Sequence, residues 1–182
     1  TGIEAFTAVT DLRCGNNSLT TLDVSKNTAL IHLYCSSNTL STLDVTKNAA
    51  LTDLRCWNNN LTTLDVTKND LTYLDFHDNA LTAIDVAKHN ALTDLLCWNN
   101  NLTALDVTKN TALKWLNCRN NPLTSLDVSH NTALTLLNCY NNTTLQQICL
   151  TSTQLALTVS QSHSWLKEAS VIWSTACATS IS

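Results

Sequence analysis

The stretch Leu51-Thr-Asp-Leu-Arg-Cys-Trp-Asn-Asn-Asn-Leu-Thr-Thr-Leu-Asp-Val-Thr-Lys-Asn69 decides the fold, because its pattern recurs along most of the chain. Its leucines return every 21 residues, and once after 20 residues. In the first half of each unit, the second leucine falls at Leu12, Leu33, Leu54, Leu74, Leu95, Leu116 and Leu137. In the second half, the matching positions are Leu22, Leu43, Leu64, Ile84, Leu105 and Leu126. A unit this short cannot bury its own leucines, so consecutive units must stack and share one continuous core.

Each unit contains two short segments in which apolar and polar residues alternate. In Leu33-Tyr34-Cys35, a period of two directs the leucine and the cysteine inward and the tyrosine outward. In Leu43-Asp44-Val45, the aspartate is the outward residue. We call these segments and their equivalents the first edge and the second edge. Because neither leaves room for a full helix, the sequence predicts a β-rich solenoid of about seven 21-residue coils, with short parallel strands and weak curvature.

Asparagines follow both edges at fixed positions. After the first edge they are Asn17, Asn38, Asn59, Asn79, Asn100, Asn121 and Asn142. After the second edge they are Asn27, Asn48, Asn69, Asn110 and Asn131, with His89 in the remaining coil. An inward carboxamide can bond the backbone of its own turn and of the adjacent turn, so we predict that both columns are structural.

The eight cysteines fall into two groups. Six occupy one apolar column that Phe76 interrupts: Cys14, Cys35, Cys56, Cys97, Cys118 and Cys139. Because a phenylalanine replaces one of them, the column requires a hydrophobic residue, and we predict buried reduced thiols. Disulfides between neighbouring coils and a zinc site are the weaker alternatives. Cys149 and Cys177 bracket a segment that does not repeat, and we predict a disulfide between them and hence an oxidising compartment.

The ends of the chain differ from the repeats. Residues 1–150 form the predicted repeat solenoid, and residues 151–182 form a C-terminal capping segment with a strand at 171–174. The beginning shows no amphipathic cap, so we expect that an N-terminal cap is missing and that the chain is a piece of a longer protein. A single coil combines a linker one residue shorter, Phe76 and His89, and we expect a local bend or register shift there, not a break.

Composition excludes several partners. The formal net charge is -4 with both signs interspersed, which does not favour nucleic acid or an anionic membrane. No apolar run is long enough for a transmembrane helix. We expect no metal and no cofactor.

Outward positions differ sharply between the two edges. On the second edge they barely vary, as in Thr42-Leu-Asp-Val-Thr-Lys47 and Thr63-Leu-Asp-Val-Thr-Lys68. A column of aspartates would repel itself unless each is bonded to hydroxyl groups, backbone N–H groups or lysine, so we predict such a network. Calcium bound between the aspartates, or water ordered by a flat threonine array, are the functional alternatives, and the lysine in nearly every coil argues against both.

On the first edge every outward column varies and carries large side chains. The candidate ligand-binding residues there are Tyr34, Arg55, Trp57, Tyr73, His77, Trp98, Trp115, Arg119 and Tyr140. Aromatic and arginine side chains in register at ~4.8 Å steps have the composition of binding hot spots. The alternative is that stacking of Trp57, His77 and Trp98 only stabilises the sheet.

The repeat resembles the leucine-rich repeat, L-x-x-L-x-L-x-x-N-x-L, with cysteine in the third apolar position. The cysteine column is similar to that of internalin J-type proteins. The ending Trp173-Ser-Thr-Ala-Cys177 is similar to the ends of leucine-rich repeat surface proteins of Bacteroidetes. This resemblance implies a bacterial secreted or surface-anchored protein that acts in adhesion or in contact with host proteins and glycans.

These observations predict a non-enzymatic extracellular binding module that uses the variable first edge. The partner is expected to be a protein, as for an adhesin or a surface-assembly component, and possible partners include a host or cell-surface glycoprotein. A glycan-binding surface protein and an architectural spacer are the alternatives. An enzyme is not favoured, because neither His32 nor His77 has a nucleophile or paired carboxylate at a defined spacing.

Overall fold

Short parallel strands run along the first edge in the computed structural model, which describes residues 2–159 and 164–176. The main sheet joins β1 (Asp11–Arg13), β2 (His32–Tyr34), β3 (Asp53–Arg55), β4 (Tyr73–Asp75), β5 (Asp94–Leu96), β6 (Trp115–Asn117), β8 (Leu136–Asn138) and β10 (Ser164–Leu166). A second sheet joins β7 (Leu126–Asp127), β9 (Gln147–Cys149) and β11 (Ile172–Ser174). The predicted β-solenoid is confirmed. Strand β10 comes after the repeats and adds an eighth strand to the main sheet, whereas the sequence predicted about seven coils.

The core lies between the two edges, and each of its columns consists mostly of one residue type, with Phe76 and Ile84 as exceptions. The register sets leucine beside leucine, so that Leu33 pairs with Leu12 and with Leu54. Leu33, Cys35 and Val45 are all 0% exposed. Each fully buried leucine contributes about 1.5–3 kcal/mol, and these contacts form only between stacked coils.

Five of the six cysteines in the column are buried, and all six are free. Cys14 departs from the prediction because it is only partly buried in the first coil, where a single neighbouring strand covers it. Burial raises the pKa of the Cys35 thiol to about 12, so it is a neutral hydrophobic group at physiological pH. Cys149 is disulfide-bonded. Its predicted partner Cys177 lies outside the described residues, so the pairing stays a prediction.

The asparagines after the first edge form a hydrogen-bonded ladder, as predicted. Asn59 Nδ2 donates to the carbonyls of Cys56 at 3.0 Å and of Cys35, one coil earlier, at 3.2 Å. Its Oδ1 accepts the N–H of Leu40 at 3.0 Å. After the second edge only half of this pattern forms. Asn48 Nδ2 donates to two carbonyls, but its buried Oδ1 accepts no hydrogen bond from the described part of the chain.

The irregular coil remains continuous with its neighbours. Strands β3, β4 and β5 keep the same register, and Phe76 fills the cysteine position at 0% exposure. The shortened linker removes the turn in which Leu51 donates its N–H to Asn48 O at 3.0 Å. The equivalent N–H, that of Leu71, instead donates to Nδ1 of His89 at 3.3 Å. The histidine therefore compensates for the missing residue. The expectation of no break is confirmed, whereas the register shift expected as one alternative does not occur, because these strands keep the register of their neighbours.

The second edge is an extended ladder only near the C-terminal end, where β7 pairs with β9. In each coil from Asp23 to Asp127 the second-edge aspartate closes a tight local turn. Asp44 Oδ1 accepts the backbone N–H of Thr46 at 2.8 Å and its hydroxyl at 2.6 Å. The same turn forms in β7, where Asp127 Oδ1 accepts the N–H of Ser129 at 2.9 Å, so the turn is compatible with strand pairing.

Residues near both ends extend the second-edge ladder. The 3-10 helix Ile3–Ala5 lies next to Asn27, whose Nδ2 donates to Ile3 O at 2.8 Å and Phe6 O at 3.0 Å. At the other end, helix α1 (Ser152–Val159) buries Gln154, whose Nε2 donates to the carbonyls of Val128 and Asn131. The predicted C-terminal strand is confirmed as β11, whereas α1 and β10 were not predicted.

Candidate functional site

The first-edge face, meaning the outward side of the main sheet, consists of three groups of side chains. The first group spans β1 to β4 and alternates arginine with tyrosine. The ring of Tyr34 lies between the guanidinium groups of Arg13 and Arg55, whose Cζ atoms are 5.0 and 4.6 Å from its centroid. The Arg55 guanidinium also lies 4.3 Å from the centroid of Tyr73. Four side chains from four coils thus form one continuous cation–π stack.

Carboxylates neutralise the arginines of this stack. Arg55 makes two hydrogen bonds to Asp53, at 3.0 and 2.9 Å, and Arg13 makes the same pair with Asp11 at 2.9 and 3.1 Å. The hydrogen bonds to Asp53 raise the pKa of Arg55 above its usual value. The Tyr34 hydroxyl donates to the same carboxylate at 2.9 Å. Each arginine is therefore held in one geometry and its charge is paired.

The second group is a histidine enclosed by two tryptophans. The rings of Trp57 and His77 are 5.0 Å apart at 7°, and those of His77 and Trp98 are 3.6 Å apart at 14°. The guanidinium of Arg119 lies 5.6 Å from the centroid of Trp98. This contact extends the stack by one coil. Both tryptophans are half-buried, so the sequence interpretation of exposed aromatics needs correction here.

The enclosed histidine is fixed by carboxylates. Its Nδ1 lies 2.5 Å from Oδ1 of Asp75, and its Nε2 lies 3.6 Å from Oδ2 of Asp78. Only 12% of the His77 side chain is exposed. Asp75 is 4% exposed, although alternation predicted an outward side chain, because the stacked rings and Tyr73 cover this column. Burial and Asp75 raise the pKa of Tyr73 to about 12.

The third group lies on β6, β8 and β10, and we call it the C-terminal patch: Trp115, Leu136, Tyr140 and Leu166. Leu136 is 39% exposed, Tyr140 is 50% exposed and Leu166 is 56% exposed. Within the described residues, no ring contact to Tyr140 is found. Large apolar side chains are therefore open to solvent here, whereas they are packed against each other in the first two groups.

All nine predicted site residues lie on the first-edge face, but they do not form one cluster. Tyr34, Arg55 and Tyr73 belong to the first group, and Trp57, His77, Trp98 and Arg119 belong to the second. Trp115 and Tyr140 belong to the C-terminal patch. The candidate site residues did not include Leu136, although alternation assigns it to the outward side of the first edge, and they did not include Leu166. Leu136 occupies the same outward column as Trp115, so its position was available as a signal.

A further feature of this face was also missed. The residue before each ladder asparagine adopts a positive φ of 52–59°, in the left-handed region. These residues are Asn16, Ser37, Asn58, Asp78, Asn99, Asn120 and Asn141. Asparagine and aspartate tolerate this region better than other residues that carry a side chain. The repeated Asn-Asn pair in the sequence was the signal for this turn.

The second edge is uniform and its polar groups are locally satisfied. Hydrogen bonds from Thr46 lower the pKa of Asp44, and those from Thr67 and Thr108 lower the pKa of Asp65 and Asp106. The predicted hydroxyl and backbone network is therefore confirmed. A groove of about 450 Å³ runs across three coils and is lined in part by Asp106, Asp127 and the disulfide-bonded Cys149. Among the described residues, no three His, Cys, Asp or Glu side chains group as metal ligands. In those same ranges, no helix combines the length and hydrophobicity that crossing a bilayer requires.

Comparisons with known proteins agree on the fold. A family model described as Leucine Rich repeat matches residues 15–30, 58–74 and 119–135. The functional domain of InlJ from Listeria monocytogenes, which includes a cysteine ladder, is 39% identical over 83% of this chain, with a TM-score of 0.65. A leucine-rich repeat protein of Leptospira interrogans is 20% identical over 91% of this chain, with a TM-score of 0.74, and this likeness shows the fold alone.

The chain spans 41% of the InlJ structure and 50% of the Leptospira structure, so it matches half or less of the length of each. No curated protein matches it significantly. The repeat model, the parallel solenoid and the column of buried cysteines agree with one another. The chain is a leucine-rich repeat solenoid with a cysteine ladder, and it is similar to internalin-like proteins.

Proposed function

We propose that this chain is a non-enzymatic extracellular module of a bacterial protein that binds a protein partner through the first-edge face. The observation that carries the proposal is the fixed geometry of that face. Tyr34 is held by two arginines, and His77 is held by two tryptophans and Asp75. A face whose side chains are already ordered loses little conformational entropy on binding. The fold also supports a protein partner, because leucine-rich repeats of the internalin type are protein-interaction modules.

The contrast between the two edges supports this choice of surface. The second edge repeats the same Asp–Thr turn in nearly every coil, as stacking alone requires. The first edge changes its outward residues in every coil while keeping the same leucines and register. Stability alone does not require this variation, whereas recognition of one specific partner does.

Glycan binding is the second candidate, and Tyr140 is the residue that favours it. A sugar platform needs an open aromatic face, and the Tyr140 side chain is half exposed. Trp98 is less suited to this role because His77 covers one face and Arg119 lies over the ring. An enzyme is disfavoured because both nitrogens of His77 face carboxylates inside a closed stack. The disulfide-bonded Cys149 supports an oxidising, extracytoplasmic location.

The test offers the folded chain to an array of extracellular protein domains and, in parallel, to a glycan array. Two face variants, Tyr34→Ala and Tyr140→Ala, are compared with Lys47→Ala on the second edge. We expect a discrete set of bound proteins, with a signal that falls in at least one face variant and persists in Lys47→Ala. Binding to glycans alone, or equal loss in all three variants, contradicts the proposal. Binding to neither array supports the architectural spacer.

A further inference from the structure

We infer that the partner docks on the C-terminal patch and presents a large apolar side chain flanked by carboxylates. This inference rests on the proposed function and assigns both the part of the face and the chemistry of its partner. On the first-edge face, apolar surface free to bind is concentrated there, because Leu136, Tyr140 and Leu166 keep 39%, 50% and 56% of their surface exposed. Trp57 and Trp98, by contrast, already pack against His77.

The strand register makes these side chains one surface. Leu136 lies beside Trp115 on β6 and beside Ser164 on β10, and Leu166 lies beside Asn138. Three adjacent strands span about 10 Å, and the four residue steps from Leu136 to Tyr140 extend about 13 Å along the strand direction. An area of this size matches one or two anchoring side chains of a protein segment, the usual scale of a hot spot.

Two cations beside the patch have no carboxylate partner. Lys114 and Arg119 are exposed, and no salt bridge to either is found in residues 2–159 and 164–176. In the first group, by contrast, Arg13 and Arg55 are each 2.9 Å from a carboxylate. These unpaired charges stand out on a chain whose formal net charge is -4.

Two asparagine side chains inside the patch add neutral hydrogen-bond donors to these cations. Asn117 and Asn138 each use Oδ1 to accept the backbone N–H two residues on, at 3.4 and 3.2 Å. Their Nδ2 groups then remain as donors. The neighbouring Glu168 is engaged, because its Oε1 accepts the N–H of Asn141 at 3.1 Å. Cations and amide donors around an apolar centre complement carboxylates around an apolar anchor.

The probe for this inference is a library of random dodecapeptides displayed on phage and selected on the immobilised chain. We expect enriched peptides to share one aromatic or large aliphatic residue with Asp or Glu within about three positions. For a synthetic enriched peptide, fluorescence anisotropy should give a Kd that rises about tenfold or more in Tyr140→Ala and in Arg119→Gln, the size of a hot-spot loss. The matched control Arg13→Gln, whose arginine is paired with Asp11, should leave Kd within about twofold.

Several outcomes overturn the inference. Enriched peptides that are basic or lack carboxylates contradict the charge argument, and so does enrichment no stronger than on Tyr140→Ala. Concentration-dependent dimers in sedimentation velocity that Tyr140→Ala abolishes assign the patch to a second copy of the chain instead. If array proteins lose binding in Tyr34→Ala but not in Tyr140→Ala, the proposed function stands and only this inference fails. Circular dichroism of every variant confirms that a lost signal is not unfolding.

Discussion

Replacing His77 by alanine tests whether the central stack holds the face rigid. The substitution removes two aromatic contacts, with Trp57 and with Trp98, each contributing about 0.5–1.5 kcal/mol. It also removes the 2.5 Å hydrogen bond to Asp75, and a buried carboxylate deprived of its partner adds about 1–3 kcal/mol. Together these losses predict that the free energy of unfolding falls by roughly 2–6 kcal/mol.

Urea unfolding followed by circular dichroism at pH 7 measures this change. The control is His32→Ala, because His32 is also an outward histidine of the face. Its side chain is 41% exposed, and its contact with Asp11 is longer, at 3.5 Å. An exposed site of this kind should change stability by about 0.5 kcal/mol or less. If the two variants lose the same amount, or if His77→Ala loses less than about 1 kcal/mol, the stack does not order the face.

Three further predictions concern the core and the ladders. Among the six free thiols, Cys14 should react first with a thiol reagent in the native protein, and the other five should react only on unfolding. Cys149 should react only after reduction. Mass spectrometry of labelled peptides measures the labelling, and equal native labelling of all six thiols contradicts the prediction. Burial lowers the pKa of His89, whose neutral Nδ1 accepts the Leu71 N–H, so the stability contributed by this bond should be full above about pH 6.5 and decline at lower pH. The urea midpoints at pH 7.5 and pH 5.5 should therefore differ more in the unmodified protein than in His89→Asn. Equal differences in the two proteins contradict this prediction. Asn59→Ala should lower the unfolding free energy by about 2–4 kcal/mol in urea titration, because four backbone groups lose a hydrogen bond to its side chain. A loss below about 1 kcal/mol would contradict the structural role of the ladder.

The repeat made most of the fold predictable. Leucine, cysteine and asparagine recur at fixed spacing, so each coil independently predicts that the side chains at these positions point inward. Hydrophobic periodicity also showed that Phe76 could replace a cysteine without breaking the core. The capping helix α1 and strand β10 could not be found this way, because residues after Leu150 occur once and their pattern has no second copy for comparison.

The sequence predicted on which edge the candidate site residues lie, but not whether their side chains are packed or exposed. Alternation assigns Trp57 and Asp75 to the outward side of the sheet, and they do lie on that side. It does not say what covers a residue once neighbouring coils are in register. Asp75 and Leu96 are buried although alternation assigns both to the outward side, and Asp75 lies against the His77 ring. The same limit hid the difference between the packed tryptophans and the open Tyr140.

The central claim is that recognition belongs to the first-edge face and not to the second edge. The most direct measurement is the Kd of one protein captured on the domain array for two double variants of equal size, Leu136→Ser with Tyr140→Ala and Lys47→Ala with Lys68→Ala. The first pair should raise Kd about 30-fold or more, which corresponds to a loss of about 2 kcal/mol, with an unchanged melting temperature. The second pair should leave Kd within about twofold. Equal increases in both pairs, or a larger increase in the lysine pair, would contradict the assignment of binding to the first-edge face.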